Sequence, residues 1–479
     1  MNFSVIRYVC GWMLLVVAAF MALPGLVAIY FHEEAGFALL WTILASLAVG
    51  GLLIIKKPKN KVFYSSEGYV TVALSWLIIS AVGALPFFIS GCIPNYIDAF
   101  FETVSGFTTT GASILSDVEA LPKCMLFWRS LTHWIGGMGV LVFILCLLPM
   151  TGGSNMNIMK AESPGPSVSR LVPKVQSTAK ILYSIYLALT VIEFLILALS
   201  RMPLFDACTI TFGTAGTGGF GILNSSIGSY TAFQQGVITV FMLLFGVNFN
   251  IYFLIITGKI AQALKSEELR AYAVIVVMAI AMITANSLEM FKNVYEAFHH
   301  SAFTVASIIT TTGFATVDFD TWPVLSRTIL VLLMFIGACA GSTGGGLKVS
   351  RMLLLAKTAR KEIKHSLHPK IVWKVKMDGK VVEHDVERSL NTYMVIYTMI
   401  FVASLLVISV ENYDIITNFT AVAATINNIG PGLSLVGPTA NYGFYGWLSK
   451  LVLCFDMLVG RLEIFPILLL FVPGTWKRF

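Results

Sequence analysis

Ten runs of mainly apolar residues recur along the chain, at about 9–30, 36–55, 69–90, 125–149, 181–200, 236–258, 271–288, 325–347, 391–410 and 447–472. Each is long enough to cross a hydrocarbon layer of about 30 Å as a helix. A helix satisfies its own peptide groups, which lipid cannot do for it. Composition leaves no other solvent for so much apolar surface. Of the 479 residues 12% are charged and 34 are Phe, where a soluble domain carries about 25% charge. The expected fold is an all-α polytopic membrane protein with ten transmembrane helices. The first run lacks a small-residue cleavage site and leads through His32, Glu33 and Glu34 into the second, so it reads as a retained helix and not a signal peptide.

Charge gives the orientation. The net charge is +7, and 25 of the 32 Lys and Arg fall before the first run, in the loops after runs two, four, six and eight, or after the tenth. Ten crossings put all those segments on one side, and the positive-inside rule makes that side, with both termini, cytoplasmic. The basic excess is thus an orientation signal and implies no nucleic-acid partner.

The connections after runs three, five, seven and nine share a pattern. Aligned without gaps they read DAFFETVSGFTTTGA (98–112), DACTITFGTAGTGGF (206–220), HSAFTVASIITTTGF (300–314) and TNFTAVAATINNIGP (417–431). Small residues recur six places before the shared glycine, at Ser105, Gly213, Ser307 and Ala424. About 13 residues of helix rise about 20 Å, too little to cross and return, so each stretch is expected to re-enter on the face it left. Backbone at that depth must be buried in protein or line a watery cavity. Four such loops predict a pseudo-fourfold ring around one pore. The expected divisions are 1–61 for two leading helices, then repeats at 62–178, 179–265, 266–388 and 389–479.

A short helix followed by a Thr-Gly turn leaves carbonyls free to face a common axis, where they replace the hydration shell of a cation. Glycine reaches positive φ without a steric cost, which lets successive carbonyls face the same way. The expected ion ligands are Thr110 and Gly111, Gly218 and Gly219, Thr312 and Gly313, and Ile429 and Gly430, the threonines adding hydroxyls. Neutral oxygens suit a weakly hydrated monovalent ion better than Ca²⁺ or Mg²⁺. Asp98, Asp206 and Glu296 sit at the starts of the short helices and read first as N-caps.

Six segments, FTTTGAS (107–113), GTGGFG (216–221), TTTGFAT (310–316), NNIGPGL (427–433), GACAGSTGGGLKVSR (337–351) and GRLEIFP (460–466), make the chain resemble the Trk/Ktr/HKT superfamily of potassium transporters over essentially its whole length. The resemblance implies K⁺ as the transported ion, with no organic cofactor, in a bacterial cytoplasmic (inner) membrane. It also implies a homodimer and a TrkA-like cytosolic nucleotide-binding regulatory ring as partner. Glycine at all four ring positions goes with K⁺ selectivity in that family, and Gly111 fits. Asn428 and Ile429 depart from the threonine pattern, so the fourth quarter is expected to lack its hydroxyls and weaken the ring.

Run eight holds Gly337, Gly341, Gly344, Gly345 and Gly346. Each glycine costs a helix about 1 kcal/mol relative to alanine, so the helix is expected to break there. The break predicts a flexible intramembrane loop beneath the ring, and the resemblance implies that Gly344, Gly345 and Gly346 gate the cavity. Arg461 falls near the middle of the last run, where a charge costs about 2.5–3.5 kcal/mol. Glu463 lies on another helix face. Two readings stay open for Arg461: a salt bridge to another helix, or, as in the family, a positive barrier facing the pore. Lys348 reads either as a second gate residue or as a lysine snorkelling to the cytoplasm. VKMDGKVVEHDV (375–386) reads as a hairpin on an Asp-Gly turn, in a basic segment that fits anionic membrane lipid or a docking partner.

Bland readings cover the rest. The seven cysteines are far apart and read as small buried hydrophobes. His133 reads as a packing group, and His299-His300 has no neighbour to complete a metal site. No phosphate-binding motif of the form GxxxxGK followed by Ser or Thr occurs. A proton- or sodium-coupled secondary transporter is the alternative, but it calls for inverted repeats. An enzyme is disfavoured because catalytic groups do not cluster.

Overall fold

A helix apolar on every side has no face to offer water, and the long helices of the chain are of that kind. The computed structural model describes residues 1–58, 65–137, 139, 175–370 and 373–476. The leading pair is α1 (Phe3–Phe31) and α2 (Gly36–Ile54). They cross at two glycines, where a Cβ on Gly50 would lie 3.0 Å from the Gly11 carbonyl oxygen.

A unit of long helix, short helix, extended turn and second helix then appears four times. Its helices are α3 (Ser65–Ile89), α4 (Tyr96–Phe107) and α5 (Lys123–Gly137), then α6 (Val175–Leu199), α7 (Leu204–Gly216) and α8 (Ala232–Phe245). Short helices α9 (Phe249–Ile256) and α10 (Ile260–Leu264) lead to α11 (Glu267–Ser287), α12 (Val294–Ile309) and α13 (Val324–Ile336). After α14 (Val349–Leu367) come β1 (Lys376–Met377) and β2 (Lys380–Val381), and the last unit is α15 (His384–Ile408), α16 (Ile415–Ile426) and α17 (Trp447–Arg461), followed by α18 (Phe465–Phe471).

Among the described residues six helices, α1, α2, α3, α6, α11 and α15, are long and apolar enough to cross a membrane. Three of the ten apolar runs are not single helices; the sequence reading expected this of the run at 325–347 and is corrected for the other two. The run at 236–258 divides into α8 and α9, bent by 91°. The run at 325–347 ends as helix at Ile336, where Gly337 turns to φ 70°. The run at 447–472 breaks after Arg461, with Glu463 at φ 61° and Ile464 at φ 68°. In the run at 125–149 only the part through Gly137, with residue 139, is described. The cause is shared: a glycine stands at each of the three breaks, Gly246, Gly337 and Gly460. The Pro-rich stretch 163–167, Cys146, Lys59, Lys61 and the basic pair at 477–478 lie outside the described residues.

The four short helices are the most enclosed elements. From Phe101 to Phe107 every side chain of α4 is buried, and α16 is buried from Thr417 apart from Phe419. Trp76, Trp128, Phe101 and Phe107 belong to the large core that joins the first and last units to α1. The N-caps differ from the expected ones. Asn95, Asn293 and Asp414 cap α4, α12 and α16 through their side chains, and Pro203 precedes α7. Hydrogen bonds from the Thr417 hydroxyl and amide hold the Asp414 carboxyl below the usual carboxylate range. Asp98, one turn inside its helix, instead pairs with Lys450 at 2.6 Å, and Asp206 accepts from the Tyr230 hydroxyl at 3.1 Å. The Asp-Gly turn forms as the sequence predicts: Lys376 pairs with Val381 and Met377 with Lys380, across Asp378 and Gly379 at positive φ.

Candidate functional site

The four short helices end in one backbone shape. Two residues before each shared glycine the chain enters the left-handed region, at Thr109 (φ 54°), Thr217 (φ 52°), Thr311 (φ 58°) and Asn428 (φ 56°). The glycines follow at φ 80°, 79°, 84° and 96° for Gly111, Gly219, Gly313 and Gly430. Three of the left-handed positions carry β-branched threonine, whose presence there is a true outlier and costs about 1–2 kcal/mol each. The amide between these two positions turns back onto the helix. Thr110 donates to the Ser105 carbonyl at 2.9 Å, and Gly218, Thr312 and Ile429 donate to Gly213, Ser307 and Ala424 at 2.8 Å each. Those acceptors are the small residues that recur in the sequence.

Each glycine abuts the next unit. A Cβ on Gly111 would strike the Gly218 carbonyl oxygen, one on Gly219 the Thr312 oxygen, and one on Gly313 the Ile429 oxygen. The circle closes at Gly430, where a Cβ would lie 2.7 Å from the Thr110 oxygen. Among the described residues the Thr110, Gly218, Thr312 and Ile429 carbonyls accept no hydrogen bond. Buried carbonyls without a donor are rare in folded proteins. All four glycines line one cavity of about 160 Å³, together with Ser113, Arg129, Phe220, Pro431 and Tyr442.

The hydroxyls at Thr110 and Thr312 are engaged behind the ring. Thr108 donates to the Val104 carbonyl at 2.7 Å, so the proton in its 2.8 Å contact with Thr110 comes from Thr110. Thr310 and Thr312 repeat this with Ala306 at 2.6 Å and 2.8 Å. The Thr109 hydroxyl, one residue earlier, is buried and makes no hydrogen bond.

Two supports stand behind the ring: His133, which the sequence reading takes as a packing group, and a pair to which it gives no role. His133 is fully buried; its Nε2 accepts from the Phe220 amide at 3.2 Å, so Nδ1 carries the proton that reaches the Gly106 carbonyl at 2.8 Å. The ring therefore ties the end of α4 to the turn after Gly219. Arg129 and Glu102 form a buried pair at 2.6 Å. Arg129 also donates to the Gly221 carbonyl at 3.0 Å, and Glu102 accepts from Ser113 and the Ile114 amide. One acid and one base in otherwise apolar stretches were the only signal for this pair.

The Gly-rich segment 337–348 runs against the inner ends of the short helices. Gly345 donates to the Thr311 hydroxyl at 2.6 Å, and a Cβ on Gly344 would lie 2.8 Å from the Thr310 carbonyl oxygen. Arg461 donates to the Thr343 carbonyl at 2.8 Å and to the Gly136 and Gly137 carbonyls at 2.6 and 2.7 Å. It thus joins this segment to the end of α5. Sitting in the last turn of α17, its charge also meets the negative end of that helix. Glu463 pairs with Arg351. Lys348 is buried and donates to the Gly344 carbonyl, so it does not extend to solvent.

Known proteins match this arrangement along its full length. The family model described as "TrkH: Cation transport protein" matches residues 35–477. The Trk system potassium uptake protein TrkH of Salmonella typhimurium is 36% identical, with all of both chains covered. The Trk system potassium uptake protein TrkG of Escherichia coli K12 is 33% identical over 99% of this chain and 98% of its own. The crystal structure of the potassium transporter TrkH from Vibrio parahaemolyticus superposes with a TM-score of 0.89 at 33% identity, covering both chains completely. The chain belongs to the TrkH family of cation transport proteins.

Proposed function

We propose that the chain takes up potassium across a bacterial cytoplasmic membrane through a gated, K⁺-selective pore. As a member of its family it is a membrane transport protein and not an enzyme. The observation that carries the pore is the closed circle of four carbonyls without donors, each against the next glycine. Four neutral dipoles in one ring can replace the water of a monovalent cation as it passes. The ligand set is Thr110 and Gly111, Gly218 and Gly219, Thr312 and Gly313, and Ile429 and Gly430, acting through carbonyls. Thr109 is added for its buried hydroxyl, which has no partner among the described residues. Here the short helices are the re-entrant arms of ten crossings, three of them made by broken helices, and the basic segments with both termini face the cytoplasm.

Gly344, Gly345 and Gly346 form the gate, lying directly under the ring and pinned there by Gly345 to Thr311. Arg461 latches the gate by its carbonyl bonds and places a cation below the ring. Lys348 braces the same loop. The segment 348–388, with its hairpin, receives a TrkA-like nucleotide-binding ring, and the functional unit is a homodimer.

Tracer rubidium flux into vesicles holding the purified chain tests this reading. Flux that follows the K⁺ gradient alone supports it. Uphill flux driven by a proton or sodium gradient overturns it in favour of a coupled transporter.

A further inference from the structure

The fourth quarter of the ring breaks the threonine pattern, and its structure shows what stands in. Asn428 is fully buried and left-handed, a conformation that asparagine tolerates better than threonine. Its Nδ2 donates one hydrogen to the Thr110 hydroxyl at 3.0 Å and the other to the Met457 carbonyl at 2.9 Å. The Thr110 proton is already committed to Thr108, so the Thr110 oxygen is free to accept. The result is one chain of donors, from the Asn428 amide through Thr110 and Thr108 to the Val104 carbonyl at the end of α4. It crosses the junction where Gly430 meets the Thr110 carbonyl. Thr312 in the third quarter has the hydroxyl pair but no recorded amide behind it.

We propose that Asn428 is a positioning residue that clamps the fourth quarter of the ring to the first and thereby sets its ion preference. The proposal rests on the pore reading above and reverses the expectation that the missing threonine weakens the ring. The amide fixes how far the Thr110 and Ile429 carbonyls stand from each other, and that spacing decides which bare ion they fit. Asp at this position keeps the size and the left-handed backbone but brings a carboxylate oxygen against the Met457 carbonyl, with no hydrogen between them.

The test uses the full chain in vesicles, with rubidium and sodium tracers, for the natural protein, Asn428→Asp, Thr110→Val and the double variant. The natural protein passes rubidium in preference to sodium; absence of that preference overturns the pore reading, and the clamp with it. Each single variant lowers the rubidium-to-sodium ratio about tenfold, the scale of one buried hydrogen bond lost with its partner stranded. The double variant falls short of the product of the two single effects, because the Asn428–Thr110 bond is lost in each. A preference kept by the natural protein and unchanged in both singles overturns the clamp alone, as does a double variant whose effects multiply. If Asn428→Asp fails to fold, Thr110→Val decides by the same ratio.

Discussion

At the ring the four quarters share one backbone shape: each left-handed residue lies at φ 52–58° and each glycine at φ 79–96°. At the glycines of the helices that follow they are all different. Gly137 packs against the end of α7, Gly246 begins a bend of 91°, Gly337 opens a twelve-residue loop, and Gly460 precedes an arginine. A site where all quarters touch one ion has to present the same dipole four times. A barrier across the path needs one obstacle, and three quarters are free to diverge into its supports.

Substitutions can break that contrast. The largest effect is expected at Arg129→Met, which strands the buried Glu102 carboxylate and costs about 3–5 kcal/mol of stability in thermal or chemical unfolding. A cost under about 1 kcal/mol means that the pair is exposed to water and ties nothing behind the ring. Next come the ring glycines. Gly219→Ala forces a Cβ into the Thr312 carbonyl and should reduce rubidium uptake about 100-fold, equivalent to roughly 3 kcal/mol. Gly111→Ala and Gly313→Ala should match it closely, and unequal losses would show that the quarters are not equivalent. Arg461→Ala should raise flux about tenfold when no partner protein is present, if each of its latch bonds contributes about 0.5–1.5 kcal/mol. Unchanged flux with a lower unfolding temperature would make it a structural brace. The smallest effect belongs to Lys450→Met at the rim, about 1 kcal/mol of stability with the ion preference intact.

The sequence disclosed the parts that depend on residue type at a repeated position. The four glycines and the small residues six places earlier could be aligned by eye, because positive φ and close helix turns admit few side chains. The left-handed threonines could not, since threonine is among the last residues to suggest that conformation. Side-chain direction was also hidden: Thr110 and Thr109 differ by one residue, yet the first is bonded behind the ring and the second is not. The glycine run in the third unit announced its break. Gly246 and Gly460 gave no such notice, because one glycine inside an apolar run is ordinary. Arg461 was conspicuous as a charge, but the carbonyls of Thr343, Gly136 and Gly137 to which it donates carry no signature in a sequence.

The junction between Asn428 and Thr110 joins residues 318 positions apart. Contacts of such separation form late, because the whole intervening chain must be closed into a loop first. During synthesis the membrane therefore holds a growing chain with one, two and then three quarters of the ring, and none of these is a circle. On the pore proposed above, the path for ions comes into being only when the last quarter arrives, so an unfinished or truncated chain offers no selective leak to the cell that is making it.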